Sequence, residues 1–81
     1  MQDRIRDVLV EYGRMAVDPH EVDDQADLYE LGLTSTASVN VMLALEDLFG
    51  VEFPDEALKK STFASVRNIE QAVEGLVKSS V

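Results

Sequence analysis

Between Thr34 and Gly50 the chain runs from Ser35 to Phe49 with neither glycine nor proline, and apolar side chains return at helical spacing. Val39, Met42, Leu45 and Phe49 mark one face of a helix that, at about 15 residues, would span about 22 Å. Such a stripe needs apolar partners, and only 81 residues are available to supply them. A chain of this size buries about 60 to 65% of its unfolded surface and makes one domain, 1–81. It contains no cysteine, so neither a disulfide nor a thiolate metal site can brace the fold, and helix packing must do so.

The flanking sequence supplies those partners. Ile5, Val8, Leu9 and Tyr12, with Arg4, Asp7 and Glu11 between them, predict a first amphipathic helix ending near Gly13. From Val17 to Leu33 the pattern gives way to turn and capping residues, Asp18-Pro19-His20-Glu21 and Asp23-Asp24, with room for one short helical turn near His20 to Val22. Leu28, Leu31 and Leu33 would anchor this long loop to the core, and Gly32 would supply a turn conformation that a side chain opposes. Thr34 or Ser35 can cap the central helix, Gly50 stops it, and Pro54 prevents its continuation. Pro54-Asp55-Glu56-Ala57-Leu58 predicts a short third helix to about Lys60, interrupted by Ser61 and Thr62. Ser65 then caps a last helix with Val66, Ile69, Ala72, Val73 and Leu76 inward, before a frayed Ser79-Ser80-Val81. The expected fold is all-α, a small helical bundle of three main helices, one short third helix and a long first loop. Val51-Glu52-Phe53 alternates but is too short to count as a strand.

Sixteen acidic residues against seven basic ones give a formal charge of −9. That balance repels nucleic acid and anionic membranes, keeps the chain soluble, and favours protein partners that are basic at the contact. No apolar run approaches the roughly 20 residues of a membrane span, and the expectation is a cytoplasmic monomer without membrane insertion. On the central helix, Glu46 and Asp47 are placed outward. Leu43 and Leu48 lie at the edge of the core stripe, where they either meet a partner or widen the buried face; the second reading is preferred for Leu48.

The residue singled out for chemistry is Ser35. A helix N-terminus offers unpaired N–H groups and partial positive charge, so a phosphodiester on Ser35 Oγ would be well placed there. Taken alone, a serine at this position is an ordinary helix cap. Ser38 lies one turn further in and is read as a surface residue. His20 is the only histidine, sits beside Pro19 in a turn, and is read as a solvated loop side chain, so Ser35 has no evident acid and base for a hydrolytic triad. Asp18, Glu21, Asp23, Asp24 and Asp27 lack calcium-loop spacing, and no metal site is expected. Met15, Met42, Tyr12, Phe49, Phe53 and Phe63 are read as packing groups.

The order helix, long loop, Leu31-Gly32-Leu33-Thr34-Ser35, central helix, Phe53-Pro54-Asp55-Glu56, short helix and final helix resembles the acyl carrier protein family. The resemblance covers nearly the whole chain, and is strongest over Asp27 to Ser35, Val39 to Phe49 with Ala44-Leu45-Glu46, and Glu52-Phe53-Pro54-Asp55. It implies that Ser35 carries 4′-phosphopantetheine, transferred from coenzyme A by a phosphopantetheinyl transferase, and that acyl groups are held as thioesters on the arm's thiol. A protein without cysteine has no thiol of its own, so an attached arm fits the composition. The chain would be a carrier and not an enzyme, served by an acyl- or aminoacyl-loading ligase and a downstream acyltransferase or synthase. The rival reading is a small acidic helical adaptor without a prosthetic group.

Around the key residue the sequence departs from the family's usual Asp-Ser-Leu, reading Thr34-Ser35-Thr36. Ala37 and Asn40 stand where many fatty-acid carriers have acids, so the acidic recognition strip is thinned. Partner-binding candidates are Thr36, Asn40, Leu43, Glu46, Asp47 and Glu56. This pattern, together with Ser61-Thr62-Phe63-Ala64-Ser65-Val66, is similar to small stand-alone carriers loaded with amino acids by truncated, synthetase-like ligases.

Overall fold

The computed structural model describes residues 1–79, and among them it is all-helical. Helix α1 covers Gln2–Val8 and widens into one π-helical turn over Leu9–Gly13, after which Arg14 takes a left-handed conformation and ends the element. Helix α2 covers Ser35–Phe49 and α3 covers Val66–Ser79. Two short 3-10 turns, Asp55–Ala57 and Lys60–Phe63, lie between α2 and α3.

The limits of α2 follow from local chemistry. Thr34 is extended and its hydroxyl accepts from the Ala37 N–H at 3.1 Å, capping the first turn. At the other end Gly50 adopts φ 65° and the Val51 N–H closes onto the Glu46 carbonyl, a glycine C-terminal cap. Helix α3 starts as the sequence suggests, with Ser65 Oγ accepting from the Asn68 N–H at 3.1 Å. The anticipated fraying falls partly on residues 80 and 81, outside the described residues.

The core is built from Ile5, Val8 and Leu9 of the first helical element, Leu28 and Leu33 of the loop, and Ala37, Val41 and Leu45 of α2. Phe53, Phe63, Val66, Ile69 and Val73 complete it. Phe53 and Phe63 meet with ring centroids 5.7 Å apart. The long loop is held like a strap. Arg6 donates to the carbonyls of Pro19 (2.7 Å) and Val22 (2.6 Å), while the Leu28 N–H donates to the Ala64 carbonyl and the Arg67 N–H to that of Asp24. Gln2 reaches Asp24 and Glu70, and His20 pairs with Asp7 at 2.7 Å, so the loop histidine has a protein partner. Gly32 sits at φ 112°, confirming the turn.

Several expectations are corrected. On α2 the inward residue is Val41, while Val39 is 51% exposed. Ser38 is buried, because its hydroxyl is satisfied locally by donating to the Ser35 carbonyl at 2.7 Å. Tyr12 leaves the core stripe, since the π-turn changes the register after Val8. Leu48 is 45% exposed and does not widen the buried face. The short third helix is replaced by the two 3-10 turns, and Ser61 and Thr62 lie inside the second. Glu46 turns from solvent and is half-buried, accepting the Phe53 N–H at 2.8 Å.

Candidate functional site

Ser35 is the first residue of α2 and is exposed. Because Thr34 caps the helix, the Ser35 hydroxyl has no hydrogen bond among the described residues and projects unspent from the helix head. The Thr34 carbonyl accepts the first intrahelical bond, from the Ser38 N–H, and its hydroxyl takes the N–H of Ala37, which has no intrahelical partner. The N–H groups of Ser35 and Thr36 have no acceptor among the described residues and face the end where a phosphate on Ser35 would lie. The first turn of α2 carries no acidic side chain to oppose it.

Beside Ser35 a groove of about 350 Å³ opens between α2 and the second 3-10 turn. Ser38, Val39 and Met42 form its α2 wall, Leu58 and Phe63 the facing one, and Tyr29 and Lys60 an end. Lys60 Nζ stands 4.9 Å above the Tyr29 ring, a cation–π contact, and Lys59 lines the same groove. Two of the chain's seven basic residues thus gather near Ser35. The spacing of Leu58 and Phe63 from Ser35 in sequence gave no signal of this wall; only the folded 3-10 turns bring it there.

The partner-binding candidates divide. Thr36, Asn40, Leu43 and Asp47 are all exposed and fall on one stripe of α2, at helical spacings of four, three and four, with Leu43 at 53% exposure. Glu46 is withdrawn from that stripe by its bond to Phe53. Glu56 is exposed but belongs to the separate Asp55–Ala57 turn. No group of histidine, cysteine, aspartate and glutamate among the described residues could hold a metal ion.

A small bundle that offers one unbonded hydroxyl at a helix head, beside a shallow groove and an exposed helical stripe, defines a carrier-type domain: it presents an attachment point. The comparisons agree. Residues 3–73 match the model for the phosphopantetheine attachment site, and the chain belongs to this family. Over 74 residues it is 42% identical to an aminoacyl carrier protein of Agrobacterium fabrum, covering 91% of this chain and 89% of that one. An acyl carrier protein of Campylobacter hominis is 32% identical over 77 residues, covering 95% and 94%. Among solved structures, the chain is similar to a crystal structure of an engineered Bradyrhizobium japonicum glycine:[carrier protein] ligase complexed with a carrier protein from Agrobacterium tumefaciens and AMP. The identity is 42%, the TM-score 0.88, and coverage 91% of this chain and 99% of that one. A solution structure of an Agrobacterium tumefaciens protein matches at 39% identity and TM-score 0.78, covering 99% and 96%.

The chain is therefore a carrier protein with covalently attached 4′-phosphopantetheine, not an enzyme, and the adaptor reading falls. No helix among the described residues is long and apolar enough to cross a membrane.

Proposed function

We propose that Ser35 is the attachment residue and that this single domain, acting as a monomer, carries an amino acid. The observation that carries the site is the unbonded, exposed Ser35 hydroxyl at the head of α2, left free by the Thr34 cap. A Mg²⁺-dependent phosphopantetheinyl transferase would use that hydroxyl to displace 3′,5′-ADP from coenzyme A, forming the phosphodiester. When bound, the group supplies a terminal thiol that holds the cargo as a thioester. The chain's own residues do the rest: the free N–H groups of Ser35 and Thr36 face the phosphate, and the stripe of Thr36, Asn40, Leu43 and Asp47 meets partner enzymes. Glu56 flanks that surface from its own turn.

Similarity to an aminoacyl carrier protein, and to a carrier crystallised with a glycine:[carrier protein] ligase, supports an amino acid as cargo and an ATP-using ligase as the loading partner. A downstream acyltransferase or synthase would collect it. A flexible tether raises the cargo's effective concentration at a docked active site. Intact mass after incubation with coenzyme A, Mg²⁺ and a broad-specificity transferase tests the site: one phosphopantetheinyl addition is expected, and none on a folded Ser35→Ala protein. Modification of that variant would refute the assignment. Adding ligase, ATP and glycine then tests the cargo, with one further glycyl addition expected.

A further inference from the structure

A second groove lies on the other flank of α2. It has a volume of about 330 Å³ and runs between the first helical element and the C-terminal half of α2. At about 100° per residue, Ala44 stands about 180° round the α2 axis from Ser35, so the two grooves occupy opposite flanks. The exposed stripe lies between them.

The groove's chemistry is layered. Val8 and Ala44 form an apolar floor, and Leu48 and Tyr12 stand at its sides. Tyr12 is 40% exposed, so with Leu48 it leaves a substantial apolar surface facing solvent. Glu11 and Tyr12, neighbours in the π-turn, both line the groove. Around this surface stand the carboxylates of Asp7, Glu11 and Asp47 against the single guanidinium of Arg4. Asp7 is engaged by His20; Glu11 and Asp47 have no ion-pair partner among the described residues.

We propose that this groove is a second docking surface that takes a cationic amphipathic helix of a partner protein. A trough between two helical elements with an apolar floor fits a single helical stripe of leucine-like side chains, the helix-in-groove mode, and the acidic rim selects lysine and arginine beside that stripe. A second copy of this chain is the wrong occupant, because each copy carries a charge of −9 and would set acid against acid. The volume lies near the lower end of small-molecule pockets, and the groove is an open trough. A carrier held by this flank takes only Asp47 from the exposed stripe and keeps Ser35, Thr36, Asn40 and Leu43 free, so one partner can retain the domain while another reacts with its cargo.

The test titrates the isotopically labelled full chain with a synthetic amphipathic helix bearing a leucine stripe flanked by lysine and arginine. Its counterpart has the same stripe flanked by glutamate. The basic probe is expected to shift the amide resonances of Val8, Tyr12, Ala44 and Leu48, and the acidic one to leave them unmoved. Glu11→Lys/Leu48→Gln should weaken binding at least about tenfold, while phosphopantetheinyl transfer to the same variant stays at the wild-type rate. That second readout checks the fold and keeps failure here distinct from failure at Ser35. The proposal is overturned by absence of binding, by shifts confined to Thr36, Asn40 and Leu43 or to the groove beside Ser35, or by equal binding of the acidic probe. Unchanged affinity of the variant would also overturn it, as would groove shifts produced by concentrating the protein alone, which would make a second copy the occupant.

Discussion

Replacing Glu46 by alanine separates two roles that the carboxylate could have. Its Oε2 accepts the Phe53 N–H at 2.8 Å, in a part-buried bond, and Phe53 is itself buried, so alanine removes the donor's only protein partner among the described residues. A hydrogen bond to a charged group contributes about 1.5 to 3 kcal/mol, and leaving a buried donor unsatisfied costs a similar amount; we expect a net loss of about 2 kcal/mol. Alanine's better helix propensity returns a few tenths of that, roughly, so the measured value is a lower bound. For a domain of this size the corresponding fall in Tm is roughly 8 to 16 °C. Circular dichroism melts of wild type, Glu46→Ala and Glu46→Gln check it; glutamine keeps an acceptor and should lose less than half as much. A Glu46→Ala melt within about 2 °C of wild type would refute the buried-acceptor reasoning. If that variant instead loaded more slowly at low salt with an unchanged melt, Glu46 would be a docking charge after all.

Leu28 is fully buried where the loop meets the helices, so Leu28→Ala should cost about 2 to 5 kcal/mol in urea unfolding. The two glycines Gly32 and Gly75 make an internal comparison. Gly32→Ala forces a side chain onto φ 112° and should destabilise by about 1 kcal/mol or more, whereas Gly75→Ala, in α3 with open space around it, should stabilise by about 0.5 to 1 kcal/mol. The Asp23 carboxyl is held below its ordinary value of 3.8, first by the Gln25 N–H and then by Asp24. A depressed carboxylate pKa stabilises the loop above the unfolded value and loses that contribution as pH falls through the lowered one. An NMR titration should therefore place the Asp23 midpoint below 3.8.

The sequence made some elements legible and hid others for identifiable reasons. Thr34, Gly50 and Ser65 act through local hydrogen bonds or a single backbone angle, and the helix limits they set are where spacing placed them. The inward face of α2 was harder, because Val39, Val41, Met42, Leu43, Leu45 and Leu48 spread apolar character around much of the helix. Full burial in the core cluster singles out Val41, and pattern cannot. Ser38 and Glu46 were misplaced because polarity implies solvent unless a partner is known, and their partners are a carbonyl one turn back and an amide beyond the helix stop. The π-turn after Val8 has no residue signature in this chain. At the candidate site, the place of Ser35 at the head of α2 was readable from the helix pattern, while the wall of Leu58 and Phe63 depended on how the 3-10 turns fold back.

The division of labour between Thr34 and Ser35 has a consequence for dosage. On the assignment proposed above, the cap does not use the hydroxyl that would be modified, so attachment at Ser35 would leave the Thr34 cap and the exposed stripe of α2 in place. A ligase that recognised the stripe would bind both forms, and unmodified protein would then compete with the modified form for loading. The ratio of transferase to carrier, and not carrier abundance alone, would then set the throughput.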